Sequence, residues 1–452
     1  MEGVAMRGAW LVTAGAGRLG LLVGWMLTLG LSGVAVAKPP HVVMIISDDQ
    51  AYGDFSFMGH PHIKTPHIDR LARQSLLFRR GHVPSSLCSP SLASILTGLY
   101  PHQHKVTSND PPLPEGKTRP QASRMPEYRA ARQKLIANFD QSPSLPRLLA
   151  TQNYESFQAG KWWGGHYRHG GFTQGMTLGD PDRGGRHGDD GLRIGRKGMT
   201  EVFQFIDKTV ADDERFFLWY APMMPHSPHT PPERLLNKYK DVAPTLQFAK
   251  YWAMCEWFDE TCGQLLGHLD EKGIAEETLV VFLCDNGWIQ DPDVDRYAPR
   301  SKQSQYEGGL RTPIMVRWPG HVEPKDSDHL ALSIDLAPTI LKAVGLEPTA
   351  EMQGINLLDA SAVEGRKAIF GEIFRHDAVD LDVPASSLRA RWMIEGPWKL
   401  ILPTLLNAPD TATELYNLVD DPGETKNLAD REKETVERLK AKVDAWWAAK
   451  TP

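Results

Sequence analysis

The stretch His41-Val42-Val43-Met44-Ile45-Ile46-Ser47-Asp48-Asp49-Gln50 decides how this chain is read. It is apolar from Val42 to Ile46 and turns polar only at Ser47. An unbroken apolar run of this length marks a strand covered on both faces, as in a parallel sheet. Asp48 and Asp49 then fall at the strand's C-terminal end, where open α/β sheets hold their ligands. Two carboxylates there suit a hard cation such as Ca²⁺ or Mg²⁺. The same pair also serves as a plain strand exit with a helix cap, so it needs supporting motifs.

Working outward, apolar runs alternate with helical patterns for about 300 residues. Phe216–Tyr220, Leu279–Leu283 and Pro313–Trp318 read as further strands. Ile68–Leu77, Pro90–Leu96, Pro244–Lys272 and Asp335–Val344 read as helices. This alternation predicts an α/β fold, a large mostly parallel sheet flanked by helices. After about residue 346 the texture changes to short strands at Ala368–Phe374, Leu388–Glu395 and Trp398–Leu402, closed by a charged helix over 430–449. The reading is a catalytic domain over 38–345 and a small α+β subdomain with an antiparallel sheet over 346–452. Lys105–Gln141, with seven Lys/Arg against four Asp/Glu, and the Gly-, His- and Arg-rich Gly164–Gly198 read as long irregular loops. Their basic character points towards an anionic polymer.

Length and composition fit a globular chain: 452 residues, 41% apolar and 23% charged. The net charge of −6 argues against nucleic-acid binding, so any anion site must be local. Residues 1–37 read as an export signal: Arg7 and Arg18 precede an uncharged Leu19–Ala37 that ends in Ala35-Val36-Ala37. The alternative is an uncleaved anchor, since this segment nearly spans a bilayer. Its glycines and small-residue end favour cleavage, with no stable membrane insertion afterwards. None of the later asparagines opens an N-x-Ser/Thr sequon, which favours a bacterial periplasmic or secreted protein. Cys255 and Cys262 lie seven apart on a helical pattern, about 10 Å along the axis and too far for a bond. No disulfide framework is expected.

Five further motifs carry chemistry. Cys88-Ser89-Pro90-Ser91 enters a helix, whose N-terminus offers free N–H groups to an anion and favours a nucleophilic Cys88. Asp285-Asn286-Gly287 follows the 279–283 strand. Lys302 precedes Tyr306-Glu307-Gly308-Gly309-Leu310-Arg311-Thr312-Pro313, Lys161 lies in Ala159-Gly160-Lys161-Trp162, and His226 and His229 lie in Pro225-His226-Ser227-Pro228-His229. Each motif alone is an ordinary turn or helix start. Their co-occurrence in this order resembles the sulfatase family of the alkaline-phosphatase superfamily, across nearly all of the chain after the leader. Trp398-Lys399-Leu400 and Asp421-Pro422-Gly423-Glu424 resemble that family's C-terminal subdomain.

The resemblance implies an alkaline-phosphatase-like sandwich fold and hydrolysis of sulfate esters, with sulfated carbohydrate as the expected substrate. It implies that Cys88 is converted to formylglycine by a formylglycine-generating or anaerobic maturation enzyme. Asp48, Asp49, Asp285 and Asn286 would hold Ca²⁺, with Mg²⁺ the alternative, together with the formylglycine at Cys88. Lys161, His226 and Lys302 would bind the sulfate and leaving oxygens, with His229 a further substrate ligand. Two positions depart from the family pattern: Leu92 stands where Arg is usual, and Trp163 where His follows Gly-Lys-Trp. His102, His104, His166 or His169 are candidates to compensate. The rival readings are a phosphatase or phosphodiesterase on the same scaffold and an inactive sulfated-glycan-binding homologue. Judged from its cationic groups alone, the site favours phosphate, which leaves discrimination to the nucleophile. Thirteen tryptophans suggest sugar stacking.

Overall fold

The computed structural model describes residues 38–180 and 183–449. The leader expected at 1–37 lies outside the described residues. The strands are β1 His41–Ser47, β2 Leu76–His82, β3 Tyr154–Gly160, β4 Gln174–Gly175, β5 Arg215–Ala221, β6 Thr278–Cys284, β7 Ile314–Arg317, β8 Lys325–Leu332, β9 Ala368–Phe374, β10 Leu388–Glu395, β11 Trp398–Pro403 and β12 Glu414–Asn417. The first eight form one sheet in the order β4-β3-β5-β1-β6-β7-β2-β8, and the last four an antiparallel sheet in the order β12-β11-β10-β9. In the large sheet β7 runs against both its neighbours, and the other pairs are parallel.

β1 shows why its sequence is apolar throughout. Val42, Met44 and Ile46 join the core on one face of the sheet, and Val43 and Ile45 join the core on the other. Helices cover both faces, including Cys88–Thr97 and Leu336–Ala343 on the first and Leu246–Glu271 on the second. The central strands therefore need side chains that tolerate burial on either side.

Some sequence expectations required correction. Ile68–Leu77 is not one helix: the helix is Pro66–Arg73, and Leu76 begins β2. β2 is buried between β7 and β8, so sheet pairing overrides the helical spacing of its first residues. Lys105–Gln141 is not wholly irregular, because Pro126–Asp140 is a helix. Its buried residues Tyr128, Leu135, Ile136 and Phe139 share one helical face, which the surrounding Arg, Lys and Gln obscured. All four cysteines are unpaired and buried. Among the described residues no helix is long and apolar enough to cross a membrane.

The two sheets are joined by a buried charge cluster. Lys399 on β11 is fully buried and bonds both Glu307 and Glu424 at 2.9 Å. His82 at the end of β2 approaches Glu307 at 3.1 Å. Burial alone would raise the Glu307 carboxyl; Lys399 and His82 outweigh it and hold it well below the ordinary carboxylate range.

Candidate active site

Four neighbouring parallel strands deliver the site at one sheet edge. β3 ends before Lys161, β5 before the turn carrying His226, β1 before Asp48 and Asp49, and β6 before Asp285 and Asn286. The ladder continues one residue past the strands. Asp285 N–H donates to the Ser47 carbonyl at 2.9 Å, Asp48 N–H to Met224 at 3.0 Å, and Lys161 N–H to Ala221 at 2.6 Å. Gly160 is required beside Lys161: its φ is +105°, and a Cβ there would lie 2.0 Å from the Ala221 carbonyl oxygen. Because β7 is antiparallel, the loop from β6 that bears Lys302 returns along the same edge. β2 ends there too, six residues before Cys88 opens the helix Cys88–Thr97.

Asp48, Asp49, Cys88 and Asp285 are all buried, and one ligand atom from each lies within 4.8 Å of the others. Lys161 Nζ bonds Asp48 Oδ1, lies 3.1 Å from Cys88 Sγ and reaches Asp285 Oδ2 at 3.2 Å. Lys302 Nζ meets both Asp49 oxygens at 2.6 Å. Asn286 Nδ2 donates to Asp49 Oδ1 at 2.7 Å, and Cys88 Sγ donates to Asn286 Oδ1 at 3.6 Å. Asp49 adopts a left-handed φ of 62°, which aims its N–H at Asp285 Oδ1, 3.0 Å away. His226 Nε2 lies 3.3 Å from Asp49, with Nδ1 2.5 Å from the Ser227 carbonyl oxygen.

Burial raises Asp48 and Asp285 to about 6 against the pull of Lys161. Asp49 moves the other way: burial would raise it, but Lys302, His226 and Lys161 hold it low. Burial lowers His226 to about 3, with Asp49 opposing. Burial also pushes the Cys88 thiol up to about 11, against Lys161 and Lys302. Buried carboxylates and a carboxamide oxygen match the donor set of a hard divalent cation, and Asp48 Oδ2 is buried without a hydrogen-bond partner. Three carboxylates against two ammoniums leave a formal charge of −1, which a divalent cation would turn to +1.

The sequence candidates converge with one exception. Asp49, Cys88, His226 and Lys302 line a cavity of about 220 Å³, with Asp48, Lys161 and Asp285 buried beside them. His229 is not brought in. Its ring packs against Tyr251 and Trp288, and its Nδ1 pairs with Asp295 at 2.6 Å. The turn after Pro228 points the ring into that aromatic cluster, so His229 holds Asp295 rather than facing the cavity.

None of the four histidines proposed to compensate for Trp163 lines this cavity. His102 pairs with Glu372, His104 with Ser94 and His169 with Asp140, while His166 lines a neighbouring cleft. The structure instead places His187 in the cavity, its ring 5.4 Å from that of Trp163 and its Nδ1 buried without a partner. Nothing in its Gly-rich surroundings distinguished it in sequence. Leu92 is buried in the apolar core beside Cys88, so that position contributes no polar group. Trp163 and Trp288 line the cavity, but Trp162, Trp219 and Trp392 are fully buried, so tryptophan number says little about sugar stacking.

An α/β sheet edge carrying a cation-ready carboxylate cluster, two lysines and a helix-borne Cys88 defines a hydrolase of anionic esters. Residues 40–346 match the family model Sulfatase, and residues 299–448 match N-sulphoglucosamine sulphohydrolase, C-terminal. The chain belongs to the sulfatase family and is a sulfuric ester hydrolase. It is 28% identical to N-acetylgalactosamine-6-sulfatase of Homo sapiens, over 75% of this chain and 68% of that protein. It is also 28% identical to arylsulfatase A of Homo sapiens, over 88% and 85% respectively. A solved protein in complex with its substrate D-glucosamine-2-N,6-O-disulfate shares the fold at a TM-score of 0.70 and 17% identity, covering 92% of this chain and 99% of that one.

Proposed function

We propose that this protein hydrolyses sulfate esters of sulfated carbohydrate, using formylglycine derived from Cys88 and a Ca²⁺ ion held by Asp48, Asp49, Asp285 and Asn286. The observation that carries this reading is the placement of Cys88 Sγ 3.1 Å from Lys161 Nζ and 3.6 Å from Asn286 Oδ1, within the carboxylate cluster. Relatives named for N-acetylgalactosamine-6-sulfate and for ulvan support the carbohydrate substrate. Export by the 1–37 segment to the periplasm or beyond, a catalytic domain over 38–345 and a subdomain over 346–452 belong to the same proposal.

A divalent cation held by Asp48, Asp49, Asp285 and Asn286 would supply Lewis-acid charge neutralisation. A formylglycine at position 88 would supply a hydrated aldehyde as the nucleophile. The chain's own residues do the rest. Lys161 and Lys302 neutralise the non-bridging oxygens, and His226 faces the leaving oxygen from the cavity wall. His187, neutral because burial and Arg186 lower it to about 3, stands beside Trp163 and takes the hydrogen-bonding role that Trp163 cannot fill.

The charge balance supports sulfate. With a divalent cation the cluster of three carboxylates and two lysines would carry +1, which matches the single charge of a sulfate monoester. A phosphate monoester dianion would leave it negative. Counting the cations alone had pointed the other way because it omitted the three carboxylates.

Mass spectrometry of the Cys88 peptide from the native host tests the modification, with a loss of about 18 Da expected. Turnover of sulfated glycans and aryl sulfates is then compared with that of phosphate mono- and diesters, in wild type and Cys88→Ala. Phosphate turnover well above sulfate turnover, or an active Cys88→Ala, sinks the mechanism.

A further inference from the structure

A second cavity, of about 270 Å³, adjoins the first through Arg186, which lines both. It lies between the helix Pro126–Asp140 and the Gly165–Arg186 loop, and Arg119, Arg129, Arg132 and Arg186 converge on it. These arginines belong to the two basic segments that the sequence singled out.

Among the described residues, the carboxylates paired with these four arginines are Asp110 and Asp377. Asp110 takes Arg186 through both oxygens, Arg119 Nε at 2.9 Å and Arg132 Nη1 at 3.6 Å; Asp377 takes Arg119 Nη2 at 2.8 Å. The cleft is therefore left cationic by two charges. Arg129 is exposed and commits its Nε to the Ser123 carbonyl at 2.8 Å. Tyr128 is only 6% exposed, yet its hydroxyl is buried without a hydrogen-bond partner and lines the same cavity. A buried, uncompensated hydroxyl flanked by guanidiniums is matched by an anionic oxygen, which accepts from both.

The cleft is also tied to the nucleophile. Arg186 stacks over Trp163 at 4.6 Å. Arg132 donates to the Asn109 carbonyl at 2.8 Å, and Asn109 Oδ1 accepts the Ser89 N–H at 2.9 Å, next to Cys88. The Trp163 that departs from the family pattern thus lies in the first cavity beneath two arginines of the second.

We propose that this cleft is a subsite for a second anionic substituent, sulfate or carboxylate, on the carbohydrate whose sulfate ester is cleaved. The substrate is then a polyanionic glycan rather than a singly sulfated one. The inference rests on the sulfated-carbohydrate reading above.

Full-length matured wild type, Arg129→Ala and Tyr128→Phe are compared on three oligosaccharides: one with a single sulfate, one with two sulfates, and one with a sulfate and a uronate carboxylate. The expected result is that the ratio of kcat/KM on a doubly anionic substrate to that on the singly sulfated one falls about tenfold or more in Arg129→Ala. That is the loss for one hydrogen bond to a charged group. A smaller fall is expected in Tyr128→Phe, carried mainly by KM in both. Whether the two-sulfate or the uronate arm falls identifies the second anion. An unchanged ratio in both variants, or a wild type that prefers the singly sulfated substrate, overturns the subsite. A second measurement is independent of turnover: calorimetric binding of inositol hexasulfate. Equal affinity for wild type and both variants overturns the subsite. Weakened binding with no sulfate-ester turnover supports the subsite and overturns the sulfated-carbohydrate hydrolysis instead.

Discussion

The ammonium of Lys161 lies 3.1 Å from the sulfur of Cys88, across 73 residues of chain. The contact exists because β3, which precedes Lys161, and β2, which precedes the Cys88 helix, end at the same sheet edge. Lys161 also bridges Asp48 and Asp285, which ties it into the carboxylate cluster. Lys161→Ala is expected to lower kcat/KM on a sulfate ester by roughly 10²-fold or more. Wild-type turnover in this variant removes Lys161 from the mechanism.

Lys302 and His226 approach Asp49 from the cavity side. Replacing either with Ala is expected to cost roughly 10²-fold in kcat/KM, the usual effect of losing one transition-state stabiliser. Circular dichroism should show a retained fold. Unaltered turnover on every hydrolysed substrate would sink both assignments.

Chelation tests the cation. EDTA is expected to abolish sulfate-ester turnover, with Ca²⁺ restoring it. Ca²⁺ at a hundredfold its Kd should add about 2.7 kcal/mol to unfolding free energy. Asp285→Asn should weaken this thermal shift, because it removes a charge from the cluster. A melting curve indifferent to Ca²⁺ in wild type counts against the site.

His187→Ala is expected to lower kcat by about tenfold or more, the worth of one hydrogen bond to a charged group, with less effect on KM. Steady-state kinetics on an aryl sulfate separates the two. An unchanged kcat means that Trp163 has no functional substitute at His187.

Lys399→Met is expected to destabilise the fold by about 3–5 kcal/mol, because it leaves buried carboxylates without their ammonium. The pH dependence follows from Glu307, whose carboxyl is held below its ordinary value of 4.5. A depressed folded-state value adds stability above pH 4.5 that is lost as pH falls further. Denaturant melts should therefore show wild type losing stability on acidification below that point. Lys399→Met should lose less over the same window; equal slopes contradict this account.

What the sequence determined alone was the centre of the sheet and the residues at its edge. β1, β5 and β6 are buried on both faces, so they had to be apolar runs, and the residues that follow them had to be the polar ones. Asp48, Asp49, Asp285 and Asn286 were legible for that reason, and Cys88, Lys161, His226 and Lys302 through the motifs around them. Strands outside this centre were not. β8 carries exposed Lys325, Asp326, Asp328 and His329 at the sheet edge, and β3 mixes Glu155, Ser156 and Gln158 with its apolar residues. Tertiary structure decided the remainder. His187 in the cavity and the arginine cleft depend on how long loops pack against the helix Pro126–Asp140, and His229 is turned away by its packing against Tyr251 and Trp288. Such contacts join residues distant in sequence, and no local periodicity encodes them.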